Sequence, residues 1–468
     1  MKGYSDVLVG VQYGDEGKAR IIDSIASGYD VIARFNGGPN AGHTLEVGDK
    51  RIALHQVPSG IFYPDMQLYV GSGCVLNLQK LFAEIKEIES NGITLDGRFN
   101  ISDQLTVIQP HHILLDRLIG GSIGTTANGI GPAYADQALR IDNHFLKNLR
   151  LGDILDDPSL ALKVMVGNYK QLAGINDLSS EGIEKEVEDL LSKADALSGY
   201  ICRNPLFLEE LASKGKNVLF EGAQASMLDV TKGTVPYVTS SHTVAGFAYV
   251  GGDLSPGYHR KTIGVGKAIM SRVGNGPFIS EFGGRVSELY CDAKDESGKT
   301  KHVKEFEQQN YSVDELLRSA DLFKVGIGLR MLGNEYGATT KRPRRIGPLD
   351  LEALRGHCKI NGVDELYLTK VDCLADFSKT SLPGIPVVVG YSIYEKEINH
   401  IPGTSAGCRK AKPIVDYLPH FSQDLSAVRD PAALPAEVQE LIRYVEQYVG
   451  CKVAGIGVGP EREQFVRL

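Results

Sequence analysis

The sequence predicts an α/β fold with a large, mostly parallel central sheet and flanking helices. Residues 6–13 are predicted to form a strand, because their apolar positions do not alternate with polar ones, which is typical of a strand buried on both faces. A glycine-containing loop follows this run and leads into helix-like residues 17–27, the layout of many phosphate-binding elements. Strand-like and helix-like segments then alternate along the chain, which is the order that builds parallel sheets.

The later elements follow from the same patterns. Strands are predicted at YDVIARF, MQLYVGSGCVL, KNVLFEGAQ, DELYLTKVD and GIPVVVGYSIY. Residues 78–92 carry apolar side chains at helical spacing and end in a glycine. No linker-like tract divides the chain, so we expect one domain over 1–468. Helix formers predict an inserted helical subdomain at about 100–215, and polarity predicts a surface excursion at 284–322.

Composition excludes several classes of function. The formal net charge of −8 argues against a general binder of nucleic acid or anionic membranes. The sequence has no apolar run near the roughly 20 residues of a membrane span, and its N-terminus has no signal-peptide pattern. Its seven cysteines form no C-x-x-C pair, which favours reduced thiols over zinc or disulfides. We therefore expect a cytoplasmic protein without nucleic-acid or membrane partners.

The stretch GVQYGDEGKARI, residues 10–21, resembles a phosphate loop but departs from its usual pattern. Gly14, Gly17 and Lys18 suit a loop whose backbone N–H groups face an anion at a helix N-terminus. Asp15 and Glu16 place negative charge where phosphates would lie, and no Ser or Thr follows Lys18. An ordinary strand-to-helix turn is the alternative interpretation of this stretch.

Further motifs have residue types suited to a nucleotide. Glycine pairs in FNGGPNAGHTL indicate close backbone approach to a ligand, and a Gln after a strand in FEGAQ suits a base edge. The arginines of ATTKRPRRIG suit a carboxylate or phosphate, and LYLTKVD ends in a carboxylate that can accept from guanine N–H groups. A structural histidine, a surface loop and a solvated charge run are the alternatives for single motifs.

The joint order of these motifs resembles the adenylosuccinate synthetase family over nearly the whole chain. The resemblance rests on GDEGKAR, NGGPNAGHT, PSGI, IGTTANGIGPAY, FEGAQ, YVTSS, RVGNGPF, NEYGATTKRPRR, TKVD and GVGPER. It implies a P-loop-like, GTP-binding ligase that forms adenylosuccinate from IMP and L-aspartate, releasing GDP and phosphate. The implied path runs through 6-phosphoryl-IMP and is the first committed step from IMP to AMP. A Mg²⁺ cofactor and a homodimer are also implied.

The resemblance also implies roles for individual residues. The implied catalytic residues are Asp15, His43 and Gln224. The implied GTP contacts are Gly14, Glu16, Gly17, Lys18, Ala19, Arg20, Gly42, Thr44, Arg344, Lys370, Val371, Asp372, Gly457, Val458 and Gly459. The implied IMP contacts are Asp15, Lys18, Asn40, Ala41, Gly42, His43, Thr126, Arg140, Gln224, Thr239 and Arg342, with Arg140 reaching across the dimer. The implied aspartate contacts are Val273, Ala338, Thr339, Thr340, Lys341 and Arg342, and the implied Mg²⁺ ligands are Asp15 and Gly42.

Several positions differ from the family pattern. They are Tyr13, Ala19, Arg20, Asn128, Gln137, Lys341 and Gly457, together with the longer stretch 284–322. Two alternatives therefore stay open beside the IMP enzyme. One is a paralogue that acts on dGMP and makes 2-aminoadenylosuccinate, although some such relatives lack the loop aspartate that is present here. The other is a catalytically inactive GTP-binding regulator, which the presence of Asp15, His43 and Gln224 disfavours.

Overall fold

The computed structural model describes residues 2–47, 50–120, 125–140, 148–337 and 341–468. Two compact units make up the chain. The first comprises Met1–Val9, Lys18–Gln224 and Thr239–Lys261, and the second comprises Gly10–Gly17, Ala225–Val238 and Thr262–Leu468. The expected single domain, helical insertion and surface excursion stay predictions.

The first unit contains a parallel sheet. Its six strands, in spatial order, are β1 (Ser5–Gly10), β10 (Val218–Glu221), β2 (Val31–Arg34), β5 (Gln67–Val70), β7 (Phe99–Ser102) and β9 (Ile201–Cys202). Every pairing among them is parallel. The strands β1, β10 and β2 are buried along their whole length, as their continuous apolar sequences predict.

Helices and short strands complete the first unit. Two further pairs of short strands are separate from this sheet. One is antiparallel and comprises β3 (His43–Val47) and β4 (Lys50–Leu54), and the other is parallel and comprises β6 (Val75–Leu76) and β8 (Thr106–Val107). The helices are α1 (Lys18–Ile25), α2 (Leu78–Ser90), α3 (Pro110–Ile119), α4 (Ile130–Leu139), α5 (Leu151–Asp156), α6 (Pro158–Ile175), α7 (Ile183–Ala196), α8 (Phe207–Ser213) and α9 (Ala248–Gly251). Asn77 caps α2 by accepting from the N–H of Lys80, which explains where this helix begins.

The second unit contains two sheets. The first has parallel strands β11 (His259–Lys267), β14 (Val363–Thr369) and β18 (Lys452–Gly457), with β19 (Phe465–Arg467) antiparallel at one side. The second has β12 (Ile269–Arg272), β13 (Arg345–Asp350), β15 (Ile385–Ile393), β16 (Lys396–Ile398) and β17 (Lys412–Leu418), of which only the β13–β15 pairing is parallel. The all-parallel sheet of the first unit and the parallel strands β11, β14 and β18 of the second confirm the predicted α/β fold, whereas the second sheet of the second unit is mostly antiparallel.

The helices of the second unit lie between and after these strands. They are α10 (Gly284–Asp292), α11 (Lys304–Asn310), α12 (Val313–Leu317), α13 (Leu322–Leu332), α14 (Leu351–Asn361), α15 (Ser405–Lys410) and α16 (Ala436–Val449). Residues 284–322 therefore contain three helices, and their Glu307 and Leu317 are fully buried. None of the helices that the structure describes has the length and apolarity of a membrane span.

The strand ends place the predicted site residues. In the first unit β10 ends at Glu221, three residues before Gln224. In the second unit β14 ends immediately before Lys370, and β18 ends at Gly457. Because ligands of open parallel sheets bind beyond the carboxyl ends of their strands, each unit places its motifs where a ligand is expected.

Candidate active site

The loop after β1 uses its two acids differently. Gly14 and Gly17 have φ values of 89° and 88°, which favour glycine, and Asp15 has a φ of 57°. Glu16 is fully buried, and its Oε1 accepts from the N–H of Gly14 at 2.7 Å. The carboxylate of Glu16 therefore stabilises the loop itself. The side chain of Asp15 is 41% exposed and is the acid available to a ligand.

Arg344 connects Asp15 to a buried carboxylate. Its Nη2 lies 2.8 Å from Asp15 Oδ2, and its Nη1 donates to Glu335 Oε2 at 2.7 Å. Arg344 immediately precedes β13, so the strand holds the guanidinium in place. The guanidinium of Arg344 therefore binds both carboxylates.

Glu335 is the centre of a buried charge network. Its Oε2 accepts from Ser271 Oγ at 2.8 Å and lies 3.2 Å from Lys267 Nζ, while Lys370 Nζ is 3.9 Å from Oε1. Burial alone would raise the pKa of Glu335, but the charges of Lys267, Arg344 and Lys370 hold that pKa below its usual value. Burial is also the main cause that lowers the pKa of Lys267.

The predicted guanine-binding residues surround the end of β14. Thr369 Oγ1 donates to the Glu16 carbonyl at 2.7 Å, which ties this strand to the loop after β1. Lys370 has a φ of 62°, and its Nζ donates to the carbonyl of Gly333 at 2.6 Å. The N–H of Val371 donates to the Gly457 carbonyl at 3.1 Å, so the ends of β14 and β18 meet.

His43 is held by a carboxylate in the first unit. Its Nδ1 makes a short hydrogen bond with Glu221 Oε1, and Ser59 gives Glu221 both its hydroxyl and its backbone N–H at 2.7 Å. Both His43 and Glu221 are buried. Burial lowers the pKa of His43 more than the charge of Glu221 raises it. The pKa of Glu221 is lowered because His43 and Arg34 outweigh its burial.

Gln224 presents an amide without protein partners among the described residues. Its Oε1 and Nε2 are both buried and make no hydrogen bond there, and its φ is 55°. Gly37 in the neighbouring loop has a φ of 76°, which favours glycine, and a Cβ there would stand 2.9 Å from Gln224 Oε1. Since buried amides are normally satisfied, a ligand edge is the expected partner of Gln224.

Two predicted IMP contacts, Thr126 and Arg140, flank α4 in the sequence. Asn128 donates to Thr126 Oγ1 at 3.0 Å and accepts from Lys80 Nζ at 2.5 Å. Arg140 follows the last residue of α4 as its C-cap, with a φ of 54°, and its side chain is exposed. The helix therefore carries a cation at its C-terminal end.

Only part of the predicted aspartate pocket is described. Ala338, Thr339 and Thr340 lie outside the described residues. Arg342 Nη2 lies 2.6 Å from Asp292 Oδ1, and Val273 is 46% exposed. Lys341 is exposed with a φ of 51°, the backbone region for which the family's glycine is suited.

The other predicted contacts differ in exposure. The buried residues among them are Lys18, Ala19, Ala41, Val371, Val458 and Gly459. Those that are partly buried are Arg20, Asn40, Thr239 and Asp372. Gly42 is exposed, and Thr44 lies in β3 with a side chain outside the described set.

Sequence reasoning missed several residues of these networks. Three of them lie inside motifs of the sequence analysis: Glu221 in FEGAQ, Ser59 in PSGI and Glu335 in NEYGATTKRPRR. Their position in these motifs could have indicated a role in the site. Lys267 and Ser271 stand outside those motifs. Only the tertiary structure brings them to Glu335.

The glycine loop between strand and helix, together with the Lys–x–Asp sequence after β14, defines an α/β enzyme that uses a nucleoside triphosphate. The family model described as adenylosuccinate synthetase matches residues 7–466. The chain belongs to the adenylosuccinate synthetase family, so it is a GTP-dependent ligase acting on IMP and L-aspartate.

Known proteins show how widely the similarity extends. "Adenylosuccinate synthetase 2" of Cupriavidus pinatubonensis is 44% identical over 463 residues, covering 99% of this chain and 97% of the relative. The fully ligated adenylosuccinate synthetase structure of Plasmodium falciparum has a TM-score of 0.83 and 30% identity, with all of both chains covered. A cyanophage S-2L succinoaminodeoxyadenylate synthetase bound to dGMP and dATP has a TM-score of 0.58 and 16% identity, covering 100% of this chain and 96% of that one, and shows the fold alone. The predicted family, fold class and enzyme class are confirmed.

Proposed function

We propose that the ligation proceeds through 6-phosphoryl-IMP, with Asp15 as the base. The observation that carries this proposal is the half-exposed Asp15 carboxylate, paired with Arg344 at 2.8 Å inside a glycine-rich loop. Asp15 takes the N1 proton of IMP, and the purine O6 then attacks the γ-phosphorus of GTP as its bond to GDP breaks. The amino nitrogen of L-aspartate next attacks C6, and phosphate leaves. N1 deprotonation makes O6 a nucleophile, and phosphorylation makes it a leaving group.

His43 is proposed to stabilise the transferring phosphoryl group. With Nδ1 bonded to ionised Glu221, a protonated His43 can donate from Nε2 to a phosphoryl oxygen. Burial lowers its pKa in the ligand-free chain, and an arriving phosphate would oppose that effect. Glu221 and Ser59 therefore serve as positioning residues for His43.

The remaining contacts are assigned by motif position. Gln224 reads the IMP base with its unsatisfied amide, and Thr126 and Thr239 contact the same nucleotide. Lys370 and Asp372 read guanine next to Gly457. The arginine of the 338–345 stretch that binds the aspartate carboxylate is Arg342.

Mg²⁺ is proposed as the cofactor, held by the Asp15 carboxylate and the Gly42 carbonyl. Both donors are oxygens, which this ion prefers, and both residues are exposed. Space around Gly42 is open, since a Cβ there would meet no atom within 4 Å. The bound ion would offset the negative charge that develops on the phosphates.

A cytoplasmic homodimer is proposed, with Arg140 donated to the IMP phosphate of the partner. The exposed guanidinium at the end of α4 supports this role. The seven cysteines are free, which supports a reducing compartment.

Mass spectrometry of the products tests the proposed function. The protein receives GTP, Mg²⁺ and L-aspartate, with IMP or dGMP supplied in separate reactions. We expect adenylosuccinate from IMP, little product from dGMP, and ¹⁸O transfer from O6 of labelled IMP to the released phosphate. Product mainly from dGMP would assign the chain to modified-purine synthesis, and absence of product from both would favour a binding role. Unlabelled phosphate would exclude the 6-phosphoryl intermediate.

A further inference from the structure

Residues 284–322 contact the segment that contains the proposed aspartate-binding arginine. We call residues 334–345, of which 338–340 are outside the described set, the Arg342 loop. The backbone N–H of Lys304 donates to the carbonyl of Lys341 at 3.2 Å. This contact joins the N-terminus of α11 to the loop one residue before Arg342.

The buried ion pair between Glu307 and Arg330 also contacts the Arg342 loop. Glu307 accepts from Tyr336 Oη at 2.6 Å and from Arg330 Nη2 at 2.6 Å. Arg330 also donates to the carbonyl of Arg344 at 2.9 Å. Since Glu307 and Arg330 are almost completely buried, α11 and α13 fix both ends of the Arg342 loop.

Asp292, the last residue of α10, forms an ion pair with Arg342. Its Oδ1 lies 2.6 Å from Arg342 Nη2. The Asp292 side chain is 45% exposed and that of Arg342 is 16% exposed. Asp292 therefore offers Arg342 the same chemical group that L-aspartate would offer.

We propose that Asp292 competes with the substrate carboxylate for Arg342. This inference rests on the proposed role of Arg342. Because the pair is partly exposed, its free energy is small and the substrate can displace it. Asp292 thereby raises the KM for L-aspartate by about two- to fivefold, the range that such pairs contribute.

The Asp292→Asn variant tests this competition by steady-state kinetics. We expect the KM for L-aspartate to fall about two- to fivefold, with kcat and the KM values for IMP and GTP nearly unchanged. Asp295→Asn is the matched control, because the Asp295 carboxylate accepts hydrogen bonds from Ser297 and Lys299 within its own exposed turn. An unchanged or raised KM for L-aspartate in Asp292→Asn would overturn the proposal.

Direct binding separates this inference from the proposed function. Succinate, which carries two carboxylates and no amine, is titrated into both proteins by calorimetry in the presence of IMP and GDP. Tighter succinate binding by Asp292→Asn supports competition even if the wild type forms no adenylosuccinate, and equal or weaker binding overturns it. Asp292→Ser gives a second test of the same charge removal if the Asn variant does not fold.

Discussion

Arg344 and Asp15 form an ion pair, with Arg344 Nη2 2.8 Å from Asp15 Oδ2. The other terminal nitrogen of the guanidinium, Nη1, donates to the buried carboxylate of Glu335. The proposed base is therefore paired with a cation that also binds Glu335. This relationship leads to the first two predictions.

Asp15→Asn is expected to lower turnover by about a thousandfold or more, because the amide cannot accept the N1 proton. Its shape is nearly unchanged, so binding of a GTP analogue should stay measurable by calorimetry. Single-turnover product formation and analogue binding are measured on the same preparation. Turnover near that of the wild type would exclude Asp15 as the base.

Glu335→Gln is expected to lower the free energy of unfolding by about 3 kcal/mol, because Lys267 loses its buried counter-charge. Adding Lys267→Met should recover part of that loss, since no buried cation is then left unpaired. Urea unfolding of the two single variants and the double variant measures the coupling. Glu440→Gln, on an exposed part of α16, serves as the control. Strictly additive losses would contradict a direct Lys267–Glu335 interaction.

Glu221→Gln is expected to reduce kcat by about a hundredfold or more, because the carboxylate that orients His43 is lost. It should also shift the pH profile, because the charge of Glu221 raises the pKa of His43. Without that charge His43 loses its proton at lower pH, so the alkaline limb of kcat should move to lower pH. Ser59→Ala removes one hydrogen bond and keeps the charge, so its shift should be smaller. An alkaline limb that stays in place would argue against the role of Glu221.

The stability of the fold should fall as the pH decreases from 6.5 to about 4 because of His112. Its Nδ1 accepts from the Gln109 N–H at 3.0 Å, and its Nε2 faces Asp136 at 2.9 Å, beside the ring of His111. Burial lowers the pKa of His112 from 6.5 to about 4, so the folded state binds fewer protons than the unfolded state in this window. The contribution, about 3 kcal/mol at most, is complete above pH 6.5 and is lost through the window.

Thermal unfolding at several pH values measures this contribution of His112. His112→Gln should flatten the dependence of Tm between pH 4 and 6.5. His400→Gln, which changes an exposed histidine, should leave the dependence as it is in the wild type. Equal slopes in the wild type and in His112→Gln would contradict the assignment.

Arg140→Leu is expected to weaken IMP binding by about tenfold or more, because a charged hydrogen bond to phosphate is lost. If Arg140 acts across a dimer, mixing this variant with a second variant that is defective at Asp15 should restore activity, since some shared sites then contain both intact residues. Activity is measured after subunit exchange, with light scattering to show that dimers form. Formation of mixed dimers without recovery would place Arg140 in its own subunit's site.

The sequence predicted most of the local elements because their signals are local. The predicted helix at 78–92 is observed as Leu78–Ser90, where an apolar stripe and the Asn77 cap agree. The first strand was expected to reach residue 13 but ends at Gly10. The predicted strand was too long because Val11 and Tyr13 are apolar and buried although they lie in the loop after β1. Burial alone therefore does not show that a residue belongs to a strand.

By itself the sequence determined the family, the fold class and the order of the motifs, since each is written in short stretches of neighbouring residues. Only the tertiary structure decided which partners these motifs meet. Lys267 and Glu335 are 68 residues apart, and nothing in the local pattern of either residue indicates the other. Their pairing depends on packing at strand ends, where burial makes an unpaired charge too costly and so selects one arrangement of the side chains.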